Sequence, residues 1–264
     1  MEGLTDMEQE YYYNVDTTKK ILGCDKHYHG VFEIYYLEKG SCTYFIDDRC
    51  YEVKEGDVVL IPEGIIHNTV YQNERHRRKL IQCSKKYIPT SVYEKMQSLV
   101  YIYRNPTVRS DIDRIFDRIE KEYENSDDFS KDMLVYLTGE LLFLLARNIR
   151  NRQDITTGSV YIEKALGYVR ENFTSDIKLS DVAEICHIST EHLSRKFKKE
   201  TGLGFNEFLN MLRLQKAEYI LKNDKDISIA EVAFACGFND SNYFSEKFHS
   251  VYGYTPSSLR NVKK

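Results

Sequence analysis

The sequence lacks long apolar runs and shows no signal segment at its start. Its longest unbroken apolar run is Leu141–Ala146, whereas a helix needs about 20 apolar residues to cross a bilayer. The segment Met1–Asp6 is acidic, and no apolar segment follows it. We therefore expect a cytoplasmic protein that has no membrane partner.

Closely spaced cysteines are also absent. The six cysteines form no Cys-x-x-Cys pair, and in a cytoplasmic chain such spacing favours reduced thiols buried as small apolar residues. We assign them no zinc or catalytic role. With 42% hydrophobic and 30% charged residues, the composition is that of a globular protein, and 264 residues are enough for two domains.

The net charge of −4 argues weakly against nucleic-acid binding. Residues 159–264 carry 15 Lys or Arg against 14 Asp or Glu, so the negative charge lies mainly in the rest of the chain. Whole-chain charge is a poor guide when only one of two domains contacts phosphates. A local basic cluster, Arg195–Lys199, supplies the charge that such contact requires.

Residues 27 to about 90 show the alternation of β-strands. Apolar and polar residues alternate in Phe32–Leu37, and turn residues follow at Gly40, Gly56 and Pro62–Gly64. Several short strands between close turns are typical of an antiparallel barrel or sandwich. We therefore predict a β domain in the N-terminal part of the chain.

From about residue 108 the apolar residues take the spacing of a helix. The first predicted helix has one apolar face, formed by Ile112, Ile115, Phe116, Ile119 and Tyr123. The second has leucines three and four residues apart, as in a coiled-coil seam: Leu134, Leu137, Leu141 and Leu144. These leucines would either pack on the chain's own β domain or form a homodimer contact, and we predict a dimerisation segment here.

The C-terminal part contains an internal repeat at an offset of 50 or 51 residues. Leu179–Cys186 matches Ile229–Cys236, and Ser189–Phe197 matches Asp240–Phe248. Each copy has a first helix with small residues, a short turn, an N-cap and a second helix, which are the parts of a helix-turn-helix. Paired helices can also form a simple bundle, but two copies in register with polar outer faces favour DNA binding.

The second helix of each copy has apolar residues four apart, Leu193 and Phe197 or Phe244 and Phe248, which we expect to face inward. The opposite faces would contact bases and phosphates in the major groove. The predicted DNA-contacting residues are Thr190, Glu191, Ser194, Arg195, Lys198, Ser241, Asn242, Ser245, Glu246 and His249. Between the copies, a predicted helix from Asn206 to about Lys222 would span roughly 25 Å. One monomer could then contact two successive major grooves, about 34 Å apart.

The segment Ala235–Arg260 resembles the signature of the AraC/XylS family of regulators, and the similarity covers about residues 159–262. This resemblance implies double-stranded DNA and RNA polymerase as partners, and an activator rather than a repressor. It places Glu191, Ser194 and Arg195 at base-contacting positions of the first unit, and Ser241, Asn242, Ser245 and Glu246 at those of the second. Glu246 departs from the family pattern, where a basic residue is commoner. Its carboxylate could accept a hydrogen bond from cytosine or weaken phosphate contact.

Three histidines and one glutamate form a second constellation. His27, His29 and Glu33 have the same parity, so an extended strand would project them onto one face, and His67 follows the turn at Pro62–Gly64. Such a set suits iron, manganese, nickel or zinc. Residues 20–90 resemble the cupin barrel, although Gly23 lies closer to the first histidine than in the cupin motif and Tyr71 replaces an asparagine.

Cupin barrels joined to AraC-type units look like small-molecule sensors. We therefore predict that these four residues bind an organic effector, such as a sugar, without a cofactor, and that the protein is not an enzyme. The alternatives are a divalent-metal cupin enzyme that also binds DNA and a constitutive DNA-binding dimer. The expected α+β fold has an antiparallel cupin-like barrel at 1–105, a helical dimerisation segment at 106–150, a linker at 151–158 and an all-α domain with two helix-turn-helix units at 159–264.

Overall fold

The computed structural model describes residues 10–17, 31–47, 49–71, 76–96, 102–125, 127–148, 159–224 and 226–260. Two of the predicted effector residues, His27 and His29, and the predicted linker at 151–158 lie outside the described residues. Across the ranges that are described, no helix is long and apolar enough to cross a membrane.

The N-terminal domain consists of two antiparallel sheets. Its strands are β1 (Tyr11–Asp16), β2 (Phe32–Lys39), β3 (Ser41–Ile46), β4 (Arg49–Lys54), β5 (Val58–Ile61), β6 (His67–Tyr71), β7 (Arg77–Cys83) and β8 (Ile102–Tyr103). One sheet has the order β1-β7-β2-β5-β8 and the other the order β4-β3-β6. The predicted barrel is therefore not closed among the described strands. The turn at Gly40 connects β2 of the first sheet to β3 of the second.

Both faces of strand β2 are covered, which explains why six consecutive residues, Phe32–Leu37, are buried. Tyr35 and Leu37 face the second sheet, whereas Ile34 and Tyr36 face two helices on the outside. These helices are α2 (Arg109–Glu124) and α3 (Ser130–Arg147), which follow a short α1 (Thr90–Met96). Tyr36 stacks on Phe116 of α2 with ring centroids 5.1 Å apart. The apolar face predicted for the first helix is thus buried against the five-stranded sheet.

The C-terminal domain is helical, as predicted. Its elements are α4 (Val160–Asn172), α5 (Leu179–Ile185), α6 (Thr190–Thr201), α7 (Phe205–Asn223), α8 (Ile229–Ala235), α9 (Ser241–Tyr252) and α10 (Pro256–Arg260). Helices α5 and α6 form the first helix-turn-helix unit, and α8 and α9 form the second. Helix α7 connects them and belongs to both hydrophobic cores, since Phe208 packs in the first and Leu221 in the second.

The two domains share a buried contact. Phe45 of β3 and Ile66, the residue before β6, belong to the same hydrophobic cluster as the first helix-turn-helix unit. The Phe45 ring meets that of Phe208 edge to face, with centroids 5.8 Å apart. Arg170 of α4 forms an ion pair with Asp47. The first unit therefore rests on the outer face of the smaller sheet.

Candidate nucleic-acid interface and sensor interior

The first recognition helix, α6, begins and ends as its sequence predicts. The Ser189 hydroxyl accepts a hydrogen bond from the His192 amide, which satisfies one of the free N–H groups of the first turn. Gly202 ends the helix at φ 74°, a left-handed conformation that favours glycine. Leu193 and Phe197 are fully buried. These contacts fix which side of α6 faces outward.

The outward side of α6 lines an open groove of about 680 Å³. All five predicted contact residues of this unit lie along it, together with two neighbours: Leu179, Thr190, Glu191, Ser194, Arg195, Lys198 and Lys199. Three of the seven are basic, and Arg195 carries its guanidinium 3.4 Å from the His192 ring nitrogen Nδ1. The groove therefore combines positive charge with exposed hydrogen-bonding groups, as contact with phosphates and base edges requires.

The second recognition helix, α9, has the same construction with a different outer surface. Asp240 caps it through the Tyr243 amide, and Gly253 ends it at φ 79°. The predicted contact residues Asn242, Glu246 and His249 are exposed, and Ser241 and Ser245 are partly exposed. None of the five is lysine or arginine, so α9 offers hydrogen-bonding groups but less attraction for phosphate than α6.

Arg213 of the connecting helix joins the two units, a role that the sequence analysis did not identify. Its Nε donates to the Phe173 carbonyl oxygen at 2.7 Å, and its Nη2 donates to that of Ser175 at 2.9 Å. The same guanidinium lies 5.8 Å from the centre of the Phe238 ring, at the turn of the second unit. Burial lowers its pKa, although the group remains charged at neutral pH. Arg213 thus holds the loop before α5 against the second turn.

Between the two sheets lies a polar group that we call the interior cluster: Glu33, Tyr44, His67 and Gln82. The Glu33 carboxylate accepts hydrogen bonds from the Tyr44 hydroxyl at 2.7 Å and from Gln82 Nε2 at 2.9 Å. His67 Nε2 lies 3.6 Å from Glu33 Oε1, and its Nδ1 lies 2.7 Å from the Ile65 carbonyl oxygen. Glu33 and His67 are only 4% and 1% exposed. The structure therefore brings together two of the four predicted effector residues.

Two members of the interior cluster, Tyr44 and Gln82, were missed by sequence reasoning, because a tyrosine and a glutamine within strands give no distinctive signal. Burial raises the pKa of the Tyr44 phenol, and the adjacent Glu33 carboxylate raises it further. Tyr44 is therefore a neutral donor at physiological pH. Within the described residues, no group of three or more His, Cys, Asp or Glu side chains could hold a metal ion.

Most of the predicted dimerisation leucines are buried in their own chain. Leu134, Leu137 and Leu141 are at most 2% exposed in the cluster under the five-stranded sheet, and Leu144 packs against it partly buried. Of the two alternatives for these leucines, the structure favours packing on the chain's own domain. The exposed apolar residues of this region lie on another face: Phe129, Met133, Tyr136 and Phe143. We call these four residues the exposed stripe.

Comparison with known proteins yields two family matches. Residues 22–138 match the AraC-like ligand binding domain, and residues 182–261 match a helix-turn-helix domain. Over 246 residues the chain is 24% identical to the HTH-type transcriptional activator RhaS of Shigella boydii, covering 89% of this chain and 87% of the relative. It is 23% identical to the activator RhaR of Salmonella dublin over 249 residues, covering 90% and 87%.

Among solved structures, the C-terminal domain of AraT, a response regulator from Geobacillus stearothermophilus, is 30% identical. The match covers 40% of this chain and 88% of that one, with a TM-score of 0.39. The two family matches fall on the two-sheet domain with its covering helices and on the paired recognition units. The chain belongs to the AraC family of DNA-binding transcriptional regulators.

Proposed function

We propose that this protein activates transcription by binding a two-part DNA site through α6 and α9, under the control of a small polar organic effector bound between the two sheets. The observation that carries the proposal is the repeated geometry of the two recognition helices. Each has a capped start, a buried apolar side and an exposed polar side. Activation is proposed because RhaS and RhaR are named transcriptional activators.

The ten predicted residues on α6 and α9 would contact DNA with unequal roles. The three basic residues that line the α6 groove would supply most of the phosphate attraction. The α9 surface would contribute mainly base contacts, with Glu246 accepting a hydrogen bond from the amino group of cytosine. Such a division explains how a chain of net charge −4 can still bind DNA.

The interior cluster supports an effector with hydroxyl or amide groups. A buried carboxylate is costly unless it is hydrogen-bonded, and Glu33 has two donors at hydrogen-bonding distance. A ligand hydroxyl could replace either donor at small cost, which makes a sugar or another polyhydroxy compound the favoured class. We propose that the protein uses no cofactor and catalyses no reaction. A divalent-metal site that combines Glu33 and His67 with further ligands is the alternative to test.

A homodimer is the favoured assembly, with RNA polymerase as the partner of the DNA-bound activator. The exposed stripe supports the dimer, because its residues lie four, three and seven positions apart along one side of α3. Phe129 and Tyr136 are 72% and 73% exposed. Beside the stripe lies an open groove of about 390 Å³ formed by Glu140, Phe143, Leu144 and Arg147. A second copy would bury both features.

DNA binding is tested by replacing Arg195 with alanine. Duplexes are first selected from a random-sequence pool with the unmodified chain, and affinity is then measured by gel shift. We expect Arg195→Ala to cost about 1–3 kcal/mol if the guanidinium contacts a base. The control is Lys222→Ala, which removes a charge from the connecting helix, where Lys222 pairs with Glu218. Equal affinities of both variants would remove Arg195 from the interface.

Effector binding is tested by thermal melting against sugars, small organic acids and divalent metals, each with and without chelator. A ligand at 100 times its Kd should stabilise the chain by about 2.7 kcal/mol. We expect an organic compound to act in the presence of chelator and to lose its effect in Glu33→Gln. The control, Glu38→Gln, removes another carboxylate of β2, which accepts a hydrogen bond from Arg77 of β7. Stabilisation by metal alone would support the metal-site alternative.

A further inference from the structure

Strand β6 contacts both the interior cluster and the DNA-binding domain. Its neighbouring residues His67 and Asn68 point to opposite faces of the sheet, as successive residues of a strand must. The pairing with β3 confirms this, because His67 lies opposite Ile46 of the interior and Asn68 lies opposite Phe45 of the domain contact. One peptide unit therefore separates the predicted effector site from the first helix-turn-helix unit.

On the outer face, Asn68 holds the end of the first recognition helix. Its side-chain Nδ2 donates to the carbonyl oxygen of Thr201, the last residue of α6, at 3.1 Å. Cys50 Sγ donates to the carbonyl oxygen of the preceding residue, Glu200, at 3.3 Å. Asn68, Cys50 and Thr201 are at most 2% exposed. We call this contact the interdomain seam.

The fit at the interdomain seam is close enough to depend on one glycine. A Cβ atom added to Gly202 would lie 1.8 Å from Asn68 Nδ2 and 2.9 Å from Asn68 Cγ. Gly253 has the same place in the second unit and nearly the same φ, 79° against 74°. A Cβ added there would meet nothing within 4 Å. Substitution at either glycine strains the backbone, but only substitution at Gly202 also disturbs the contact with the sheet. Comparing the two variants therefore distinguishes these effects.

We propose that Asn68 is a positioning residue that couples the interior cluster to the first recognition helix. A change of the bonds that His67 and Glu33 make inside the domain shifts β6, and the shift changes the hold of Asn68 on Thr201. The α6 groove is exposed to solvent even though the interdomain seam is closed. The interdomain seam thus sets the orientation of α6 rather than covering its surface. This inference rests on the proposed function, since it assigns the regulation of the same effector site.

Cys50 provides a readout that needs neither DNA nor effector. Burial raises the pKa of its thiol to about 12, so the reactive thiolate is scarce while the interdomain seam is closed. Alkylation of the full chain with iodoacetamide, followed by peptide mass spectrometry, measures how often the seam opens. Cys236, which is fully buried in the second unit, is the internal reference for global unfolding.

The first arm of the experiment compares the two glycines. We expect Gly202→Ala to raise the Cys50 alkylation rate about tenfold or more relative to Cys236, because the added methyl overlaps the Asn68 side chain. Gly253→Ala should leave the Cys50 rate itself unchanged, although it places a side chain at the same positive φ. Equal Cys50 rates in the two variants would mean that the interdomain seam is not closed in solution, and the inference would be wrong.

The second arm tests the coupling itself. We expect Glu33→Gln to raise the Cys50 rate severalfold, and Glu38→Gln to leave it unchanged. In an Asn68→Ala background the added effect of Glu33→Gln should disappear, since the connection is already broken. Additive effects, or no response to Glu33→Gln, would overturn the coupling even if the chain binds DNA. If the unmodified chain failed to bind DNA while the Cys50 rates were as expected, only the proposed function would be contradicted.

Discussion

Arg213 is expected to fix the spacing of the two recognition helices, and its replacement by methionine tests this directly. The substitution keeps most of the length of the side chain but removes both hydrogen bonds to the Phe173 and Ser175 carbonyl oxygens. Hydrogen bonds from a charged donor contribute about 1.5–3 kcal/mol each. The Ser175 bond is exposed and the guanidinium is partly desolvated. We therefore expect the loss of both bonds to weaken the free energy that holds the two units together by about 2 kcal/mol.

The assay measures affinity for selected two-part sites and for the same sites with one base pair inserted between the parts. Each inserted pair moves the second part by about 3.4 Å and turns it by about 34°. The unmodified chain should lose much of its affinity for the longer site, because its two units are held together. Arg213→Met should bind the original site about thirtyfold more weakly, which corresponds to 2 kcal/mol, and should discriminate less between the two spacings.

The matched control is Lys216→Met, which removes a cation lying 5.7 Å from the centre of the Phe173 ring but no hydrogen bond to this loop. It should retain the spacing preference. If Arg213→Met also retained that preference while binding as tightly as the unmodified chain, the proposed role of Arg213 would be wrong.

Two further predictions concern the N-terminal domain. Asp57 is 1% exposed and receives two hydrogen bonds from Arg104 and one from the Lys54 amide, so Asp57→Asn should lower the free energy of unfolding by about 2 kcal/mol in urea titration. This figure allows for the partial exposure of Arg104. Glu55→Gln, at an exposed pair with Arg109, should change it by less than about 0.5 kcal/mol; equal losses would contradict the argument. Phe143→Lys should convert the proposed homodimer to monomer in sedimentation equilibrium, whereas Lys121→Ala on α2 should not. An unchanged mass for Phe143→Lys would exclude the exposed stripe as the dimer interface.

The helix-turn-helix repeat was predictable because its determinants are local. The N-caps at Ser189 and Asp240 were both confirmed, and the connecting helix predicted from Asn206 to about Lys222 extends over Phe205–Asn223. Caps and apolar residues four apart act within one or two helical turns, so a single sequence reveals them. The assignment of DNA-contacting residues followed from the same spacing and stays a prediction.

Contacts between distant segments could not be predicted in the same way. Asn68 and Thr201 are 133 positions apart, and neither has a local feature that indicates the other. The leucines of α3 show a related limit, because helical spacing identifies an apolar face but not the surface that covers it. Here large residues on the outer face of the five-stranded sheet, such as Tyr11 and Tyr36, provide that surface. Whether the strands close into a barrel depends likewise on how they pair, and turn residues alone do not determine that pairing. The described strands form two separate sheets.

The turns inside the two helix-turn-helix units limit how the chain can be engineered. His187 adopts φ 57° in the first turn without a glycine, whereas Gly237 adopts φ 89° in the second. A Cβ added to Gly237 would lie 2.7 Å from the backbone oxygen of Thr174, in the loop that Arg213 also holds. The sequence of α6 could therefore be transplanted into the position of α9, since both helices follow a side-chain N-cap and end at a glycine of positive φ. The turn that precedes α9 must stay with its own unit, because only a glycine leaves room for the neighbouring loop.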